Sequence, residues 1–118
     1  MNKIKIKRIY EELDKNDGTR ILIDRLWPRG IKKINAHIDM WIKDIAPSNE
    51  LRKKFSHDRK KWDEFKNNYI KELQNNKHLL NQIILELNKN DITLLYGAKD
   101  TEYNNAVVLK EHLTKLHN

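Results

Sequence analysis

Two arginines and an aspartate follow directly after an apolar run near the start of the chain. The run covers residues 21–23; Asp24, Arg25 and Arg29 come after it, with Trp27 between the two arginines. A guanidinium group offers several N–H donors in one fixed plane, which suits phosphate or carboxylate ligands. We therefore predict an anion-binding site in which Arg25 and Arg29 hold the ligand. Trp27 is a further candidate ligand contact, and Asp24 a candidate acid–base group.

A structural role is the alternative for this cluster. Arg25 would then pair with a nearby carboxylate and fix the loop, as structural ion pairs commonly do; the candidates are Asp24, Asp44 and Asp58. Trp27 would then belong to a core and not to a ligand platform.

A second set of polar residues follows the apolar run 92–96 near the end of the chain. A strand end, a small-residue turn and a helix start in this order would direct free backbone N–H groups at a ligand. Asp100 is a candidate acid–base residue, and the candidate ligand contacts are Tyr96, Lys99, Asn104 and Asn105. Helix capping by Asp100 or Thr101 is the alternative, because the segment lacks the glycine pattern of a dinucleotide or P-loop site.

A histidine followed by an aspartate lies between two basic segments. His57 is expected in a loop with an acid beside it, so it is a candidate for acid–base chemistry, and Asp58 is a candidate ligand contact. The alternative is a helix break in which Asp58 is an N-cap. The other four of the five histidines show no metal-ligand spacing, and the chain has no cysteine. We therefore predict no metal site and no cofactor.

Three short segments have the composition of β-strands. Residues 4–8 alternate lysine with isoleucine, as in a strand with one exposed face. Residues 21–24 and 93–96 are mostly apolar, as in the central strands of a covered sheet. The connection between these two is far too long for a hairpin, so we expect them to be parallel and adjacent or nearly so.

Five helices are predicted from apolar residues spaced three and four positions apart. They cover residues 34–45, a short segment from Ser48 through Phe55, residues 59–74, residues 77–88 and a final helix containing residues 106–116. Ser48 and Asp58 are the expected N-caps of the second and third helices.

These elements predict one domain, residues 1–118, of the α/β class. It is a small layered domain with a mainly parallel central sheet of about three or four strands flanked by helices. Ligands bind where the carboxyl ends of parallel strands meet at one edge of such a sheet. We therefore expect one cleft to be lined by Asp24, Arg25, Arg29, His57, Asp58, Tyr96, Lys99 and Asp100.

The composition limits the location of the protein. The mean hydropathy is −0.88, and no apolar run approaches the ~20 residues that span a bilayer. Residues 1–8 lack the continuous apolar core of a secretory signal. We therefore expect a cytoplasmic protein of bacterial type with no membrane partner. Oligomeric state cannot be derived from this sequence.

The net charge of +7 favours anionic partners. A small anionic molecule at the sheet edge is the first hypothesis. The alternative is a basic accessory module that binds nucleic acid or an acidic protein through residues 52–54 and 59–61. Neither basic run matches a nucleic-acid motif, so we expect only weak, non-specific nucleic-acid binding.

Several strings of residues resemble the YeaO-like proteins (domain-of-unknown-function family 488), a bacterial family. The most specific is Asp-Arg-Leu-Trp-Pro-Arg-Gly at residues 24–30; others lie at residues 41–48, 55–58 and 94–100. The resemblance covers nearly the whole chain in one order. It implies a compact α/β domain of this length and no established activity.

Overall fold

Four parallel strands form one sheet at the centre of the protein, described here by a computed structural model of residues 2–117. The strands are β1 (Ile4–Arg8), β2 (Thr19–Leu22), β3 (Met40–Trp41) and β4 (Ile92–Tyr96). The α-helices are α1 (Lys33–Ala36), α2 (Asn49–Phe55), α3 (Trp62–Gln74), α4 (Lys77–Lys89) and α5 (Asn105–His117). Three single 3-10 turns cover Lys15–Asp17, Lys43–Ile45 and Arg59–Lys61.

The strand order in the sheet is β1-β4-β2-β3, and each pairing is parallel. Ile21 lies opposite Leu94, and Leu22 opposite Leu95. The predicted α/β class and the parallel pairing of the two central strands are confirmed. β2 ends two residues earlier than predicted, so Asp24 lies beyond the strand, in the loop that leaves the sheet.

The two faces of the sheet are covered differently. Ile21, Ile23 and Leu94 are fully buried against the helices on one face. On that side the buried Tyr69 hydroxyl of α3 donates a hydrogen bond of 2.7 Å to the Ile45 carbonyl. The other face is covered by the loop after β2: its buried residues are Ile9, Leu22 and Leu95, with Trp27, Ile31 and Ile38 packed against them.

The predicted helix over residues 34–45 is wrong. The helical part is limited to α1, which ends at His37 in the left-handed region with a φ of 50°. The chain then forms β3 at the edge of the sheet and the 3-10 turn Lys43–Ile45.

Strand pairing explains this difference. The Asp39 N–H donates to the Arg20 carbonyl at 2.9 Å, and the Ile42 N–H donates to the Leu22 carbonyl at 3.0 Å. These bonds satisfy backbone groups of β2 that a helix here would leave unpaired. Isoleucine and tryptophan also suit a strand, so helical spacing alone did not decide the structure.

The start of α2 agrees with the sequence prediction. The Ser48 hydroxyl caps α2 by accepting a hydrogen bond of 3.2 Å from the Leu51 N–H. The Asp58 carboxylate accepts one of 3.0 Å from the Lys60 N–H, at the 3-10 turn that leads into α3. The predicted capping role of Asp58 is therefore confirmed, although its helix begins with a 3-10 turn. Within residues 2–117, no helix has the length and apolar character needed to cross a bilayer.

Candidate functional site

A cleft of about 210 Å³ opens at the carboxyl edge of the sheet. The loop after β2, the segment around α2 and the loop between β4 and α5 form its walls. Its polar lining residues are Asp24, Arg25, Asn49, Arg52, His57, Asn104 and Asn105. Its apolar and aromatic lining includes Leu26, Ala46, Pro47, Phe55, Phe65 and Tyr103. We call this feature the Asp24 cleft.

The Asp24 side chain connects the loop after β2 to the segment that follows β4. Its Oδ2 accepts a hydrogen bond of 2.8 Å from the Gly97 N–H, and its Oδ1 accepts one of 3.0 Å from the Asn105 side-chain amide. A Cβ atom on Gly97 would lie 3.2 Å from Asp24 Oδ2, so the glycine permits this close approach. Burial raises the pKa of Asp24 above its ordinary value, although both hydrogen bonds and the charge of Arg52 oppose the shift.

The two Nη atoms of the Arg25 guanidinium group each contact one neighbouring group. Nη2 donates a hydrogen bond of 3.2 Å to the Ala46 carbonyl, and Nη1 lies 3.5 Å from the carboxylate of the exposed Asp44. The Nε–H is buried and has no hydrogen-bond partner among residues 2–117. The side chain is 32% exposed. Arg25 therefore has donors that the described protein does not use.

α2 contributes two further polar groups to the Asp24 cleft. Arg52 is exposed, and its charge acts on the Asp24 carboxylate. His57 lies just beyond the end of α2, where Ser56 and His57 both have left-handed backbones with φ of 45° and 56°. This conformation reverses the chain after α2 and brings the exposed His57 to the cleft.

Aromatic rings form the apolar wall. Phe55 and Phe65 stack with ring centroids 4.4 Å apart, and both are buried. Tyr103 lies edge-on to Trp62 at a centroid distance of 5.2 Å. The cleft therefore places charged groups next to a surface that suits an apolar part of a ligand.

The predicted residues divide into two groups. Asp24, Arg25, His57, Asn104 and Asn105 are brought together in the Asp24 cleft. Asn104 also caps α5, because its side chain accepts a hydrogen bond from the Val107 N–H at 3.0 Å. The structure does not bring Trp27, Arg29, Asp58, Tyr96, Lys99 or Asp100 into the lining of this cleft.

Asp100 lies in the β4–α5 loop beside the cleft. Its carboxylate accepts hydrogen bonds from the Glu102 and Tyr103 N–H groups and from both Nε and Nη2 of Arg59. The Glu102 N–H, Arg59 and the Tyr103 N–H lower the pKa of Asp100 to about 2. The Arg59 guanidinium in turn lies over the Tyr103 ring at 4.4 Å. These contacts fix the loop and keep the carboxylate ionised at neutral pH.

Trp27 and Arg29 follow the chain to the other face of the sheet. Trp27 packs against the buried cluster there and donates a hydrogen bond of 2.6 Å from Nε1 to the Ile31 carbonyl. The exposed Arg29 accepts a hydrogen bond from the Tyr10 hydroxyl through its carbonyl. The core interpretation of Trp27 is thereby confirmed. Tyr96 is buried within β4, and Lys99 is exposed in the following loop.

Sequence reasoning missed Arg52 as a cleft residue and treated it as part of a basic run. A signal was present, since Arg52 lies three positions before Phe55 and so shares a face of α2 with it. Asn49, one turn earlier, lies in the same lining. Phe55 and Phe65 lie within two of the predicted helices, but their place in the cleft lining depends on how α2 and α3 pack, which the sequence pattern does not give.

No group of three or more histidine, aspartate and glutamate side chains within residues 2–117 is arranged to hold a metal ion. The Asp24 cleft itself contains one carboxylate and one histidine among its lining residues.

A protein-family model described as the inactive DUF488-N3 subclade matches residues 3–118. The chain belongs to this family. The chain is 42% identical over 113 residues to the uncharacterised protein YeaO of Escherichia coli K12. The aligned region covers 96% of this chain and 98% of YeaO. The resemblance to YeaO-like proteins is thus confirmed.

Two mycobacterial relatives give a shorter match. Uncharacterised proteins of Mycobacterium bovis and Mycobacterium tuberculosis are each 44% identical over 71 residues, which is 60% of this chain and 60% of each of them. No solved structure has a significant match to the chain.

Proposed function

We propose that the protein binds a small anionic ligand in the Asp24 cleft, at the carboxyl edge of the sheet. The observation that carries this proposal is the presence of two arginine side chains, Arg25 and Arg52, in one cleft with aromatic walls. Among residues 2–117 the Arg25 guanidinium donates one hydrogen bond, to the Ala46 carbonyl; its side chain is one-third exposed, and its ion pair with Asp44 is long and exposed. A planar guanidinium with free donors favours a carboxylate or phosphate.

Binding without turnover is the form of the proposal that we favour. The matching family model describes its subclade as inactive. Asp24 and His57 are then ligand contacts and not acid–base catalysts. Asp100 serves the site by fixing the loop that carries Asn104 and Asn105, because its oxygens are engaged by Arg59 and by backbone N–H groups.

Nucleic acid is a weaker candidate partner. The basic residues of α2 and the following 3-10 turn are exposed, but Lys54 pairs with Glu64 at 2.8 Å and Arg59 with Asp100 at 3.0 Å. Neutralised cations contribute little counterion release. We propose at most weak, salt-sensitive binding to nucleic acid.

We also propose a cytoplasmic location in bacteria. The relatives reported above are bacterial proteins, and the chain has no cysteine that would indicate an oxidising compartment.

Calorimetric titration with 3-phenylpropionate, an anion with one apolar ring, tests the proposed function. The unmodified protein should bind it. Arg25→Lys keeps the positive charge but loses the planar fork, so the affinity should fall by about tenfold or more while the fold is retained.

Arg29→Lys is the matched control, because Arg29 lies in the same loop but outside the Asp24 cleft. Its affinity for 3-phenylpropionate should stay within about twofold of the unmodified protein. Equal affinities for the Arg25→Lys variant and the unmodified protein would contradict the proposed function.

A further inference from the structure

We propose that the ligand is a zwitterion: an α-amino carboxylate with an apolar side chain, whose ammonium group contacts Asp24 and whose carboxylate contacts Arg25 and Arg52. This inference rests on the proposed function, since it keeps the anionic group and adds a cationic and an apolar one. Three features of the Asp24 cleft carry it.

The first feature is a carboxylate held by neutral groups. Asp24 accepts hydrogen bonds from a backbone N–H and from an amide, and within residues 2–117 it forms no ion pair. A carboxylate has about four lone-pair sites, and these two bonds use only part of them. Asp24 is partly exposed in the cleft, so a primary ammonium group, which has three N–H donors, matches the sites that remain.

The second feature is the separation of opposite charges within one cleft. Arg25 and Arg52 line the same space as Asp24, yet among the described residues neither is paired with it. An anion alone would gain from the arginines but be repelled by Asp24. A ligand with both charges is attracted by Asp24 through its ammonium group and by the two arginines through its carboxylate.

The third feature is the size and lining of the cleft. Its volume is about 210 Å³. That is below the ~300 Å³ of the smallest sites for drug-sized ligands, and it suits a single amino acid. Phe55, Phe65 and Pro47 supply the apolar surface for a side chain.

Three probes on the unmodified protein separate the contributions of the ligand's ammonium and carboxylate groups to binding. They are L-phenylalanine, which has both groups; 3-phenylpropionate, which lacks the ammonium group; and phenethylamine, which lacks the carboxylate. We expect L-phenylalanine to bind at least about tenfold more tightly than 3-phenylpropionate, because a hydrogen bond to a charged group is gained. Phenethylamine should bind more weakly than L-phenylalanine by a similar factor.

The outcomes distinguish this inference from the proposed function. Equal binding of L-phenylalanine and 3-phenylpropionate would overturn the zwitterion and leave the anion site intact. Phenethylamine binding as tightly as L-phenylalanine, or no binding of either carboxylate probe, would overturn the proposed function itself. The comparison uses the unmodified protein, so it does not depend on whether a variant folds.

Asp24→Asn tests the residue assigned to the ammonium group. The substitution should remove the roughly tenfold preference for L-phenylalanine over 3-phenylpropionate. Asp63→Asn, at an exposed carboxylate in the first turn of α3, is the matched control and should keep that preference. A preference that persists in a folded Asp24→Asn variant would overturn the assignment.

Discussion

Two aspartates flank β2, and they are stabilised in opposite ways. Asp17 lies two residues before the strand and Asp24 two residues after it. Asp17 is bound by cations: Lys7 Nζ lies 3.0 Å from Oδ1, and Arg20 Nη1 lies 2.5 Å from Oδ2. Asp24 is bound by a backbone N–H and an amide. The first carboxylate is neutralised within the protein, and the second is not.

The pKa values of the two carboxyl groups follow this difference. Burial would raise the pKa of Asp17, but the hydrogen bonds from Lys7, the Asp14 N–H and Arg20 outweigh it and the pKa is lowered. Burial prevails at Asp24 and its pKa is raised. A carboxylate that has its own cations stabilises the fold, whereas one without them is available to a ligand.

The largest expected effect concerns the two arginines beside these carboxylates. Arg20 is 5% exposed and also donates to the Ala36 and His37 carbonyls. Arg20→Met would leave Asp17 without one of its two cations and should lower the free energy of unfolding by about 3–5 kcal/mol. Urea denaturation at neutral pH measures this loss.

The same substitution at the other end of β2 sharpens the comparison. Arg25 is one-third exposed and its ion pair is long, so Arg25→Met should change the free energy of unfolding by no more than about 1 kcal/mol. Equal losses for Arg20→Met and Arg25→Met would contradict the division between a structural and a binding arginine.

A smaller effect is expected in the pH dependence of stability. The lowered pKa of Asp17 gives stability that is present above its unfolded pKa of about 3.9 and is lost as the pH falls through the folded pKa. The raised pKa of Asp24 gives stability that is present below the unfolded pKa and is lost as the pH rises through the folded pKa.

Replacing each aspartate by asparagine should therefore change the slope of unfolding free energy against pH in opposite directions. Asp17→Asn should remove a rise with pH, and Asp24→Asn should remove a fall. Urea denaturation of both variants between about pH 3 and pH 6 gives the slopes. This pH range spans the ordinary pKa of an aspartate. Slope changes of the same sign would refute the opposite environments of the two carboxylates.

Much of the fold could be predicted from local pattern. The apolar runs identified β2 and β4, their separation favoured a parallel pairing, and this placed Asp24 and Asn105 at one edge of the sheet. The position of Arg25 followed from the same reasoning. The carboxyl ends of parallel strands meet at one edge of the sheet, so identifying the two strands was enough to place the residues that follow them.

What could not be predicted depends on contacts between distant residues. Trp27 and Arg29 leave the site because Trp27 packs on the far face of the sheet against Ile9, Leu22 and Leu95. β3 forms because the edge of β2 offers backbone groups to residues whose spacing suggested a helix. The neutralisation of Asp17 likewise requires Lys7 from another strand.

The most direct test of the account follows the arginine Nε–H signals by NMR while 3-phenylpropionate is added to the unmodified protein. Arg25 and Arg20 report the two ends of β2 in one spectrum, and the buried Nε–H of Arg25 is a specific probe of its guanidinium. The account predicts a saturable shift of the Arg25 signal and an unchanged Arg20 signal. An unchanged Arg25 signal, or equal shifts at both arginines, would contradict the assignment of the Asp24 cleft as the anion-binding site.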